Sequence, residues 1–118
     1  MVQVIKIKRI YEQPSKEDGF RVLVDRLWPR GISKDRAKID LWLKDIAPSD
    51  SLRKWFSHDP EKWDVFKKKY GLELRQKPEL LLEIKRVEKE KGTVTLLYSA
   101  KDEENNQAVA LSAIVREA

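Results

Sequence analysis

Two runs of the chain, Phe20–Val24 and Thr93–Tyr98, are built almost wholly from apolar and β-branched side chains. A strand with one solvated face alternates apolar and polar residues, whereas a strand covered on both faces has no reason to. Both runs are therefore expected to lie in the interior of a sheet, parallel and adjacent. Their carboxyl ends would then open on one edge, where open α/β sheets take their ligands. Each run stops abruptly in polar sequence: Asp25-Arg26-Leu27-Trp28-Pro29-Arg30-Gly31 after the first, Ser99-Ala100-Lys101-Asp102 after the second.

The remaining segments supply a third strand and the helices to cover the sheet. Val2–Ile10 mixes apolar residues with Lys6, Lys8 and Arg9 and reads as a strand with one protected face. Pro and Gly punctuate the polar turn 13–19, and Ser33 is placed to cap a helical turn over Lys34–Lys38. Ile39–Ile46 fits both a strand alternation and a helical stripe, and the extended reading is preferred. Ser49 or Asp50 caps a short helix carrying Leu52, Trp55 and Phe56. Asp59 with Pro60 opens another, with Trp63, Phe66, Tyr70 and Leu74 on one face. Pro78 begins a helix with Leu80, Leu81, Ile84 and Val87 inward, and Gly92 ends it. Asn105–Glu117 closes the chain as a helix, with Ser99 or Asp102 as its cap. The pattern is that of a compact α/β domain over residues 1–118, with a short, mainly parallel sheet covered by helices.

Composition removes several function classes. A chain of 118 residues, 41% hydrophobic and 38% charged, suits one ionised globular domain. Cysteine is absent, which rules out disulfides, thiolate metal ligands and cysteine nucleophiles together. No apolar run approaches the length of a membrane span, and Met1–Lys6 enters a strand pattern without a signal-peptide layout, so a cytoplasmic location is expected. The net charge of +5 allows an anionic partner without requiring one. Runs such as Lys67-Lys68-Lys69 read as a solvated helix face, so nucleic acid is a possible partner but not the favoured one.

The candidate ligand-binding residues are Arg26, Trp28, Arg30, Ser99, Lys101 and Asn106. Guanidinium groups present paired planar donors to carboxylate or phosphate, and Asp25 is positioned in sequence to orient one of them. The alternative is an Asp25–arginine pair bracing the loop beneath Trp28. Ser99, Lys101 and Asn106 precede the last helix, whose free N–H groups favour anions, although Glu103 and Glu104 work against that. Asp25, Asp102 and the single histidine, His58, are the candidate acid–base groups. No metal site is expected from one histidine and no cysteine, and no HExxH, P-loop or Gly-x-Gly-x-x-Gly pattern calls for a cofactor.

Val24-Asp25-Arg26-Leu27-Trp28-Pro29-Arg30-Gly31, Ala47-Pro48-Ser49 with Leu52-Arg53-Lys54, and Leu96-Leu97-Tyr98-Ser99-Ala100-Lys101 with Asn106-Gln107 resemble the bacterial and archaeal DUF488 family across nearly the whole chain. The resemblance implies a compact, stand-alone α/β domain in a family whose activity is not established. It also implies a departure: larger relatives carry a cysteine after the last strand and a Cys-His-Arg run in the following helix. Tyr98 and Asn106-Gln107-Ala108 occupy those places here. Thiol- or histidine-based chemistry is thus not carried over. The sequence leaves three readings, in this order. The first is a domain binding a small anionic ligand at the carboxyl ends of the central strands. The second is an enzyme acting on a phosphorylated substrate with an Asp base and Arg stabilisers. The third is a nucleic-acid-binding module.

Overall fold

The computed structural model describes residues 4–117. Four strands, β1 (Val4–Arg9), β2 (Phe20–Leu23), β3 (Leu41–Trp42) and β4 (Thr93–Tyr98), form one sheet in the order β1-β4-β2-β3. Every pairing is parallel, with Val22 opposite Leu96 at the centre and Val4 opposite Thr93 at the outer pair. The two apolar runs are the interior neighbours expected of them. Val2 and Gln3, assigned to the first strand from sequence, lie outside the described residues.

Among the described residues five α-helices complete the domain: α1 (Lys34–Ala37), α2 (Asp50–Phe56), α3 (Trp63–Arg75), α4 (Pro78–Lys91) and α5 (Gln107–Glu117). Their starts follow local chemistry. The Ser33 hydroxyl accepts from Arg36 N and that of Ser49 from Leu52 N, each satisfying an N–H that has no partner within its helix. Asp59 accepts from Glu61 N above a turn of 3-10 helix with Pro60 in its first position, and this turn feeds α3. Gly92 ends α4 at φ 86°, a conformation that a side chain would oppose.

The sheet is covered unequally. Alternate residues Val22, Val24, Val94, Leu96 and Tyr98 meet the helices in the main core, with Phe56, Phe66, Tyr70, Leu74, Ile84 and Leu111. Phe66 stacks on Phe56 at 4.4 Å and on Tyr70 at 5.8 Å, so the aromatic stripe of α3 is core, as its spacing predicted. Trp55 and Trp63 are only half-buried. The opposite face carries a small cluster of Ile10, Leu23, Ala37 and Leu97 beneath Trp28, Ile32, Ile39 and Trp42. Ambiguity over 39–46 resolves into both local patterns: a two-residue strand, β3, and then a 3-10 turn over Lys44–Ile46. The Leu43 φ/ψ of −101°/63° breaks the extended run between them.

Beside that cluster a charge is buried on purpose. Arg21 projects from β2 and is 4% exposed. Its guanidinium is paired with Asp18 and donates to the carbonyls of Ala37 (2.8 Å) and Lys38 (3.1 Å). Asp18 also accepts from Lys8 at 3.1 Å and from Ser15 N at 3.0 Å. Burial alone would raise the Asp18 carboxyl, but these donors outweigh it and hold the group below its ordinary 3.8. The segment following Asp18 presses close to the sheet. At Gly19 (φ 64°) an added Cβ would lie 2.4 Å from the Thr93 carbonyl oxygen, and only glycine fits. Thr95 Oγ1 donates to the Asp18 carbonyl at 2.6 Å, which ties the turn to β4.

Removing one partner from such a pair strands the other charge. Arg21→Ala is expected to cost about 3–5 kcal/mol in denaturant unfolding. A carboxyl depressed in the folded state gives stability above its unfolded pKa, lost as the pH falls through the folded one. The wild type is therefore expected to lose stability as the pH falls below 3.8, and that loss should be shallower in the variant.

Candidate functional site

The edge at which β2 and β4 end is tied together by one carboxylate. The ladder runs one residue past β2, with Val24 N donating to Leu97 O at 3.0 Å. Asp25 follows, 8% exposed, and its carboxylate accepts from Ser99 N at 3.0 Å and from Gln107 Nε2. Its carbonyl accepts from Trp42 Nε1 at 2.8 Å. One residue therefore links the ends of β2 and β4, the first turn of α5 and β3. Burial pushes the Asp25 carboxyl above its ordinary 3.8, and the donors from Ser99 and Gln107 offset this only in part.

Above Asp25 lies a cavity of about 410 Å³, within the size range of small-molecule sites. Three arginines line it: Arg26, Arg30 and Arg53. Arg26 is half-buried and donates from Nη2 to the carbonyls of Ala47 (3.2 Å) and Pro48 (3.3 Å). Its Nε is the one buried polar side-chain atom without a partner among the described residues. Arg30 is exposed, and only its carbonyl is engaged, accepting from Tyr11 Oη at 2.8 Å. Arg53 reaches Asp50 at 3.1 Å across open surface, a pair of small energetic worth. Neither Arg26 nor Arg30 pairs with a carboxylate among the described residues. The alternative reading, an Asp25–arginine brace, is not formed: the Asp25 oxygens accept from Ser99 N and Gln107 Nε2, and neither Arg26 nor Arg30 reaches them.

Of the residues singled out by sequence, Asp25, Arg26, Trp28, Arg30, His58, Ser99 and Asn106 all reach the cavity wall. Lys101 and Asp102 are absent from it. Lys101 is exposed. Asp102 accepts from Asn105 N (3.0 Å) and Glu104 N (2.9 Å), bonds that hold its carboxyl below the ordinary value. Neither Ser99 nor Asp102 caps the last helix. Asn106 does so, with Oδ1 accepting from Val109 N at 3.0 Å while Nδ2 donates to Asp102 O at 2.9 Å. Both ends of the Asn106 amide are thus spent on the fold. Trp28 is anchored by Nε1 to Ile32 O at 2.7 Å and meets Trp42 edge-on at 5.5 Å, so it forms a fixed wall. His58 is exposed, in the left-handed region at φ 57°, with its ring 6.3 Å from Phe56.

Arg53 and Gln107 were not among the sequence candidates. Arg53 follows Asp50 at helical spacing and looks like half of a surface ion pair. Gln107 was legible only as part of a polar helix start. No local signal could have found it, since its partner Asp25 lies 82 positions away in the chain.

A four-stranded parallel sheet covered by helices, with an arginine-lined cavity at its carboxyl edge, defines the class as a compact α/β domain. The chain belongs to the inactive DUF488-N3 subclade, whose profile matches residues 4–118. It is 42% identical over 108 residues to the uncharacterized protein YeaO of Escherichia coli, covering 92% of this chain and 93% of that one. It is 49% identical over 70 residues to the uncharacterized protein Rv3073c of Mycobacterium tuberculosis, and the Mycobacterium bovis protein Mb3100c matches to the same degree. Those alignments span 59% of this chain and 59% of each mycobacterial protein, less than two thirds of their length. No solved structure matches at a significant level. Among the described residues no helix is long and apolar enough to cross a membrane.

The elevated Asp25 carboxyl has a measurable consequence. In the window from 3.8 up to its folded pKa the native state holds more protons than the unfolded chain, so its contribution makes stability fall as pH rises. Asp25→Asn keeps the shape and an oxygen for Ser99 N but cannot ionise. The difference in unfolding free energy, wild type minus variant, should therefore decline with rising pH across that window. A flat difference would mean that burial does not govern this carboxyl.

Proposed function

We propose that the cavity binds a small anionic ligand, phosphate- or carboxylate-bearing, at the carboxyl ends of the central strands. One observation carries this reading: three guanidinium groups share a wall whose one carboxylate among the described residues, Asp25, accepts from Ser99 and Gln107. Like charges gathered around a concave, partly apolar space repel one another unless an anion enters, and that space focuses their field. Lys101, expected to contribute, lies off the wall, and Arg53 takes its place in the proposal. The subclade's designation as inactive agrees with binding without turnover. The catalytic alternative, Asp25 as base with arginine stabilisers, draws on the raised carboxyl. It needs Asp25 to give up hydrogen bonds on which the edge depends. The working location of such a protein is the cytoplasm.

The test is a thermal-shift screen with pyrophosphate, phosphorylated metabolites and nucleotides. A ligand at a hundred times its dissociation constant adds about 2.7 kcal/mol, which for a domain of this size is roughly 10 °C. Arg30 is exposed and unpaired, so Arg30→Ala should leave the melting temperature nearly unchanged without ligand and remove the shift with it. If no anion raises the melting temperature of the wild type, the reading fails.

A further inference from the structure

The cavity wall is chemically segregated, and the segregation restricts what kind of anion fits. Donors come from Arg26 and Arg30, on the loop after β2, and from Arg53 on α2. Acceptors come from Asn105, just before α5, and from Gln107, its first residue. Asn105 Nδ2 donates to the Asp102 carboxylate at 3.1 Å, and Gln107 Nε2 donates to that of Asp25. A carboxylate only accepts, so each amide's orientation is fixed by its partner and each must present its carbonyl oxygen elsewhere. Neither Asn105 Oδ1 nor Gln107 Oε1 has a hydrogen-bond partner among the described residues. Neither is sealed off, since Arg26 Nε is the one unpartnered buried side-chain atom among the described residues. Much of the remaining wall is apolar, including Leu27, Pro29, Pro48, Phe56 and Phe66.

We propose that the anion is a nucleoside monophosphate with an amino-bearing base, its phosphate held by the arginines and its amino edge by Asn105 and Gln107. This rests on the anion-binding reading and sharpens it. A bare phosphate would meet the guanidiniums alone. At ~30 Å³ per water, about 410 Å³ is roughly fourteen waters' worth of space, most of which such an ion would leave as water against apolar side chains. A flat base fills that space with apolar faces. Its exocyclic N–H groups supply donors to two carbonyl oxygens beside a buried carboxylate. A base presenting a carbonyl at that edge would set acceptor against acceptor, the kind of mismatch that discriminates strongly.

Calorimetric titration with AMP, IMP, ribose 5-phosphate and pyrophosphate separates the contributions. AMP is expected to bind at least tenfold more tightly than ribose 5-phosphate, which lacks the base, and at least tenfold more tightly than IMP, which carries a carbonyl in place of the amino group. Asn105→Ala should bring AMP down toward the affinity of IMP. If ribose 5-phosphate or IMP binds as well as AMP, this inference is overturned while anion binding stands. If none of the four binds, this inference is overturned, and the anion-binding reading falls as well if the wider thermal-shift screen is also negative. The wild-type comparison decides the matter even if the variant does not fold.

Discussion

The Asp25 carboxylate is the interaction on which the rest of the site depends. It sits where two parallel neighbours end, a position that leaves the backbone of both strands without further ladder partners. By accepting from Ser99 N and Gln107 Nε2 it ties the exit of β4 and the first turn of α5 to the exit of β2. Burying a carboxylate is costly, and the elevated pKa shows that its donors do not cancel the whole cost. The return is geometric. With Asp25 occupied, Arg26 turns to the Ala47 and Pro48 carbonyls, Arg30 stays exposed on the wall without a carboxylate partner among the described residues, and the charge on the wall is left positive.

That arrangement needs a firm sheet behind it, and the two faces of the sheet provide it by different means. On one face the helices supply a conventional aromatic and aliphatic core. On the other, where four-residue α1 and long turns give little apolar cover, Arg21 and Asp18 pin the chain through fully engaged charges. Such a cluster adds less net stability than apolar packing of equal volume, but it tolerates few alternative arrangements. It fixes the path of the segment entering β2, and hence where Asp25 emerges.

Much of the architecture was legible because it rests on local or periodic signals. Apolar runs identified β2 and β4 as interior neighbours, and Ser33, Ser49, Asp59 and Pro60 mark helix or turn starts through short-range hydrogen bonds. The location of the site followed from the strand ends. Its composition did not, because partner choice between distant residues has no sequence period. Asp25 stands next to Arg26 in sequence yet bonds to Ser99 and Gln107, more than seventy positions away. Lys101 has the right charge in the right loop and still lies outside the cavity. Asn106 reads as a ligand contact, and it both reaches the cavity wall and caps α5. Residues 39–46 satisfied two periodicities because the segment contains pieces of both an extended run and a helical turn.

The central claim is that an anion enters beside the buried Asp25 carboxylate, and that carboxylate can report on it. Carbon-13 NMR titration of the Asp25 carboxyl, with and without pyrophosphate, is the most direct measurement. The account predicts a midpoint above 3.8 in the free protein, tracked by the Ser99 amide resonance, and a further rise with pyrophosphate because a second negative charge disfavours ionisation. A free-protein midpoint at or below 3.8, or one that saturating pyrophosphate leaves unmoved, would contradict it.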